Sequence, residues 1–266
     1  MENGDVEDAI LIALLAVRKY QKMIGNVQDV WHYLVKMKKN WFEKHGFKSN
    51  PLSIKPDSEI LIGFTEEIKK LQSDIEHKKS IWAIYGEFGS GKTTLIKKLL
   101  RKYKNSTYFS HSRVDGSISI KRLIQKRVPF LLRLFGKMPK DSVLFLDEAH
   151  EMNNKEVNEI MNYYKSGNIK NLILINPNSL IEVKNKINLN KISKENSIEL
   201  VHTRLDSKDL ISVQALSMIY DFSKGNPRRL LEYAERAIKI ADEIGDGRAT
   251  DKHAILLRES LNDQQI

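Results

Sequence analysis

Apolar residues near the start of the chain fall at helical spacing. Ile10, Leu11, Leu14, Leu15 and Val17 make one stripe, and Val27, Val30, Trp31, Leu34 and Val35 a second, with Gly25-Asn26 as the break between them. A basic and aromatic stretch, Lys36 to Lys48, closes this block before Gly46 and Pro51 stop it. From about 49 to 203 the period alternates. Short apolar runs at Ile81–Tyr85, Thr107–Ser110, Val143–Leu146, Leu172–Ile175 and Ile198–Val201 read as strands. Between them, 65–77, Lys92–Lys104, Ile118–Phe135 and Lys155–Tyr164 read as helices, the third kinked or broken by Pro129. Buried strands alternating with helices predict an α/β fold, a parallel sheet covered by helices on both faces. After Leu205 the strand pattern ends. Asp206-Ser207 reads as a helix N-cap, and helical segments follow to about 222, over 227–243 and over 250–261, punctuated by Gly225, Gly245 and Gly247. The expected division is an N-terminal helical extension (1–48), an α/β core (49–204) and a C-terminal helical domain (205–266).

Composition narrows the function classes. The chain has 266 residues and no cysteine, so thiolate catalysis, disulfides and cysteine metal sites are excluded. Its longest apolar run, Ile10–Val17, is far shorter than the roughly 20 residues that span a bilayer. Glu2, Asp5, Glu7 and Asp8 give the N-terminus the wrong sign for a secretion signal. A cytoplasmic protein with no membrane association is expected. Lys and Arg exceed Asp and Glu by 44 to 34, a formal charge of +10 that favours a polyanionic partner.

Two motifs carry chemistry. The strand Ile81–Tyr85 runs into Gly86-Glu-Phe-Gly-Ser-Gly-Lys-Thr93 and then a helix, the setting that G-x-x-x-x-G-K-[ST] requires. Glycines let successive amides point inward as an anion nest, and the helix N-terminus adds positive potential. Gly86, Glu87, Phe88, Gly89, Ser90, Gly91, Lys92, Thr93 and Thr94 are therefore the expected nucleotide-binding segment. Lys92 should reach the β- and γ-phosphates, and Thr93 should ligate Mg²⁺. Further on, the apolar strand Val143–Leu146 ends in Asp147-Glu148, at the edge where parallel sheets bind ligands. Asp147 is the expected second metal ligand and Glu148 the general base that activates water. Asp147-Glu-Ala-His150 also spells a helicase box, but a helicase of that kind needs two motor domains and the length allows one. His150 is expected to support structure rather than act as a catalyst.

This constellation resembles the AAA+ ATPases, over residues from about 47 to 240. The branch it looks closest to holds the origin-recognition initiators, transposition-regulator ATPases and secretion-type ATPases. Phe47-Lys-Ser-Asn-Pro-Leu and Leu61-Ile-Gly-Phe-Thr-Glu-Glu-Ile are similar to the family's adenine-packing segment, although Gly63-Phe64 stands where the family often has Gly-Arg. Asn171-Leu-Ile-Leu-Ile-Asn176 ends where the family has its sensor-1 residue. The resemblance implies that Asn176 holds the attacking water, with Asn178 as the alternative. Gly225-Asn-Pro-Arg228-Arg229 resembles sensor 2, which implies that Arg228 reaches the γ-phosphate from a helical lid.

One departure stands out. The family's ring-forming members usually place an arginine finger just before the last core strand. With that strand at Ile198–Val201, the preceding stretch from Lys184 has no arginine, Lys194 sits where the finger would be, and Arg204 lies beyond. Lysine lacks the bidentate fork. Basic runs occur at Lys121–Lys140 and along Lys97, Lys98, Arg101, Lys102 and Lys104, both without an acid, and at Lys36, Lys38, Lys39, Lys44 and Lys48 among Trp41, Phe42 and Phe47. They suit a phosphate backbone without reading sequence. The expected function is an ATPase using ATP and Mg²⁺ and acting on DNA in a loading role, as a homo-oligomer or with a partner ATPase. The alternative is a slowly hydrolysing ATP-dependent switch that controls a protein partner.

Overall fold

A computed structural model describes residues 40–55, 60–110, 121, 125 and 140–263. The chain forms two compact units. Among the described residues, one holds those of Lys55–Asn196 with Asn226–Arg228, and the other holds 40–54, Ser197–Gly225 and 229–263.

The first unit is a five-stranded sheet with its covering helices. Its strands are β1 (Ser80–Tyr85), β2 (Ser106–Ser110), β3 (Ser142–Asp147), β4 (Ile169–Ile175) and β5 (Asn185–Asn188), in the order β2-β3-β4-β1-β5, with every pairing parallel. Residue alternation along the strands sorts the core into two layers. Trp82, Ile84, Val143, Phe145, Ile173 and Ile175 face α2 (Thr65–His77) and α3 (Lys92–Lys102), which contribute Ile68, Leu71, Leu95 and Leu99. Ala83, Leu144, Leu146, Leu172 and Leu174 face α4 (Asn154–Lys165), through Val157 and Ile160. Each fully buried Leu or Ile contributes roughly 1.5–3 kcal/mol, so the two layers hold the strand ends in fixed register. The buried Trp82 donates from Nε1 to Asp74 Oδ2 at 3.1 Å, which satisfies both groups where α2 meets the sheet. A capping box of Asn153 and Glu156 starts α4.

The second unit is helical. α1 (Trp41–Lys44) leads into an irregular segment through Ile54, followed by the end of α5 (Lys194–Arg204), then α6 (Val213–Ser223), α7 (Pro227–Ile244) and α8 (Asp251–Asp263). α6 packs on α8. Trp41 is buried and donates to Glu235 Oε1 of α7 at 3.2 Å, and His45 Nε2 lies 2.8 Å from Asp242 Oδ1. Proline at the first position of α7 suits a turn whose amide has no helical partner. Among the described residues, no helix is long and apolar enough to cross a membrane.

Three expectations need correction. Ile198–Val201 is not the last strand but part of α5. Ser197, Leu200 and Val201 are buried and share one helical face, and a four-residue apolar run cannot by itself separate the two periods. The last strand is β5, Asn185-Lys-Ile-Asn188, in which Ile187 alone is buried. Asp206 and Ser207 do not cap a helix. Both have positive φ in the turn that follows α5, and Ser212 caps α6 by accepting from Ala215 N at 3.1 Å. The expected helices of residues 1–39 and nearly all of Ile118–Phe135 lie outside the described residues.

Candidate active site

The loop between β1 and α3 is shaped by its glycines. A Cβ on Gly86 would collide with the Leu189 carbonyl oxygen and the Ser90 hydroxyl, so only glycine fits there. Gly91 begins α3 with φ of +98°, and nothing lies within 4 Å of where its Cβ would be. The first amides of a helix have no partner within it, so the start of α3 supplies the donors of an anion cradle. The Ser90 hydroxyl is buried in the same loop and makes no hydrogen bond among the described residues. An orphaned buried donor beside an open, amide-lined turn fits a phosphate chain. Lys92 Nζ donates to the carbonyls of Gly86 at 2.7 Å and Glu87 at 2.8 Å, across the loop it belongs to. Burial lowers its ammonium pKa below the usual value, while the charges of Asp147 and Glu148 oppose that shift. Thr93 and Thr94 follow in the first turn of α3, with Thr93 exposed.

Asp147 ends β3. Its Oδ2 accepts from the Tyr108 hydroxyl at 2.8 Å, and its Oδ1 accepts from the Glu148 amide at 3.0 Å. Glu148 has φ 55° and ψ 38°, left-handed backbone for a residue with a Cβ. From there its Oε2 lies 3.4 Å from His150 Nδ1. Thr93 and Asp147 offer hard oxygen donors, the set that magnesium takes alongside phosphate oxygens.

Asn176 also has positive φ, 47°, and its amide donates to the Ile84 carbonyl at 2.9 Å. That bond extends the β4–β1 ladder past the end of β4 and brings Asn176 beside the start of the glycine loop. Asn178 is otherwise engaged. Its amide nitrogen donates to Met152 and His150 carbonyls at 3.0 and 3.3 Å, and its oxygen accepts from Leu180 N at 3.0 Å. Because β4 lies between β1 and β3, the glycine loop, Asp147-Glu148 and Asn176 stand together at the C-terminal edge of three neighbouring strands. Arg228 joins them. Asn226 Nδ2 donates to the Phe88 carbonyl at 2.9 Å, Asn226 Oδ1 accepts from Arg228 N at 3.0 Å, and the guanidinium sits 4.7 Å from the centre of the exposed Phe88 ring.

Tyr108 and Asn226 were not singled out in the sequence. Only strand pairing places Tyr108 next to Asp147, and spacing along the chain carries no such signal. Asn226 was readable only as part of its Gly-Asn-Pro turn. Lys194 is corrected in turn: with β5 as the last strand, Lys194 lies beyond it at the start of α5, and the stretch before that strand is Asn176–Lys184. That stretch also has no arginine, and Lys184 is its one cation. Arg204 belongs to the helical unit, where it donates to the carbonyls of Ser53 at 3.1 Å and Pro51 at 3.4 Å.

A parallel sheet in the order β2-β3-β4-β1-β5, with a glycine loop after its β1 strand and an acidic pair after β3, is the arrangement of the P-loop nucleotide-binding fold. The model of the family of ATPases associated with various cellular activities, AAA, matches residues 82–188, from β1 through β5. Solved structures share the fold. *Drosophila* ORC bound to DNA superposes with a TM-score of 0.59 at 18% identity, over 83% of this chain and 66% of that one. The *Aeropyrum pernix* ORC1 protein in complex with DNA gives 0.58 at 14%, over 80% and 69%. The *Thermotoga maritima* RuvB Holliday junction branch migration motor gives 0.56 at 19%, over 76% and 70%. Among curated proteins, none matches the sequence.

Proposed function

We propose that this protein is an AAA+ ATPase that binds ATP with Mg²⁺ in the Gly86–Thr94 loop, hydrolyses it at Glu148, and couples the cycle to DNA in a loading role. The observation that carries the reading is the convergence of the glycine loop, the acidic pair and Asn176 at adjoining strand ends. Lys92 exchanges its two loop carbonyls for phosphate oxygens. Thr93 and Asp147 hold the metal, which when bound neutralises charge on the phosphates. Glu148 accepts a proton from the attacking water, Asn176 orients that water, and Arg228 offers its planar fork to the γ-phosphate.

The DNA part rests on the charge of +10, on the exposed Lys97 and Arg101 of α3 with Lys104 just beyond it, and on fold neighbours that were solved with DNA. A second reading follows from the stretch Asn176–Lys184. Without an arginine there, a single chain turns over slowly and acts as a switch, or another chain completes the site. ATP turnover measured against duplex DNA concentration tests the assignment. DNA-stimulated hydrolysis that E148Q abolishes supports it. Hydrolysis indifferent to DNA, with no salt-dependent DNA binding, leaves the switch. No hydrolysis under any condition overturns the ATPase mechanism given to Glu148.

A further inference from the structure

Both oxygens of Asp147 are occupied by donors. The Glu148 amide takes Oδ1 at 3.0 Å and the Tyr108 hydroxyl takes Oδ2 at 2.8 Å. The second donor comes from a different strand. β2 and β3 run parallel, with Tyr108 opposite Phe145 and Ser110 opposite Asp147. Alternation puts Phe145 and Asp147 on one face of β3, and their partners Tyr108 and Ser110 on the same face of β2. Tyr108 therefore starts two residues behind the carboxylate it contacts, about 6.6 Å along the strand. Its ring lies against the core layer of Trp82, Leu99 and Phe145, and only the hydroxyl bridges the remaining gap.

We propose that Tyr108 is the positioning residue of the acidic pair. Its hydroxyl fixes the plane of the Asp147 carboxylate. That plane puts Oδ1 where it accepts the Glu148 amide, and this bond helps hold Glu148 in its left-handed conformation. A left-handed residue with a side chain is strained and persists only where its surroundings over-determine it. One hydroxyl thus sets the direction of the metal-binding carboxylate and, through a shared hydrogen bond, the backbone of the base beside it. The proposal rests on the ATP and Mg²⁺ reading of this site. Outer partners of metal-binding side chains typically cost 10–100-fold in metal affinity or activity when removed.

The test compares the wild type with Y108F, which keeps the packed ring and deletes only the hydroxyl. Thermal unfolding checks that the two fold alike. Equilibrium binding of N-methylanthraniloyl-ATP is followed in EDTA and through a Mg²⁺ titration, and kcat and KM are measured for ATP. Y108F is expected to bind the analogue like wild type in EDTA, to need about ten times more Mg²⁺ for its half-maximal binding response, and to lose about tenfold in kcat with little change in KM. A Y108F protein whose Mg²⁺ midpoint and kcat match wild type overturns the role of the tyrosine and leaves the ATPase reading standing. A lower unfolding temperature with an unmoved Mg²⁺ midpoint also overturns it, because the tyrosine then only packs. A wild type with no Mg²⁺-dependent binding and no turnover overturns the underlying reading, and the tyrosine's role falls with it.

Discussion

Glu148 spends conformational energy to stand where it does. Its left-handed backbone turns the chain sharply after β3 and sends the carboxylate toward His150 instead of along the sheet. A strained residue with an ionisable side chain at a strand edge is where a general base is expected. E148Q preserves size and backbone but cannot take a proton. It is expected to lower kcat by about 10²–10⁴-fold while ATP still binds, as separate turnover and equilibrium-binding measurements will show. Arg228 is a second residue-scale case. Its guanidinium stacks on Phe88, a ring 80% exposed at the tip of the glycine loop. An arginine stacked on an exposed ring keeps its planar fork oriented at small entropic cost. R228A removes the charge-assisted contacts expected with phosphate, worth about 1.5–3 kcal/mol each, and should weaken ATP-analogue binding about tenfold or more in an equilibrium titration.

At the scale of elements, legibility followed burial. β1, β3 and β4 were plain in the sequence because helices cover both their faces, so each reads as an unbroken apolar run. β5 was invisible. It pairs only with β1, buries Ile187 alone, and carries two asparagines and a lysine, residues that strands disfavour and edges tolerate. The glycine loop and the acidic pair were legible since their chemistry is local, whereas the Tyr108 contact depends on a strand pairing that brings together residues far apart in the chain. The segment around Trp41 is a related case. Its aromatics stood among lysines and counted toward a nucleic-acid surface, yet Trp41 is buried against α7. Burial alone would raise the Glu235 carboxyl. Hydrogen bonds from Asn50, Lys239 and Trp41, with the charge of Lys239, outweigh it and hold the pKa below its usual value. A depressed carboxylate contributes stability that is complete above its unfolded pKa, about 4.3, and is lost as pH falls through the folded value. The wild type should therefore lose unfolding free energy between about pH 5 and 3 by an amount that E235Q lacks, measured by denaturant titration at each pH.

The charge of the whole molecule bears on the choice between the two functional readings. An excess of ten positive charges says only that the chain attracts polyanions. How those charges are arranged is more informative. On α3, Lys97 and Arg101 are exposed four residues apart, so they share one face of the helix that begins at the glycine loop, and exposed Lys104 follows in the turn after its end. Lys102, on another side, is paired with Glu76 at 2.8 Å. A backbone-binding surface neutralises phosphates one by one and releases a counterion at each, so log K falls against log salt with a slope of about −0.9 per contact on duplex DNA. If α3 supplies such contacts, the triple variant K97E/R101E/K104E should flatten that slope by about 2–3 units and weaken binding at low salt, with no preference among duplex sequences. Its basal ATP turnover should persist, because none of the three belongs to the loop or the acidic pair. Only DNA stimulation should disappear. A protein switch with no DNA role predicts the opposite: the wild type has no slope to flatten, and the triple variant leaves every ATPase measurement where it was.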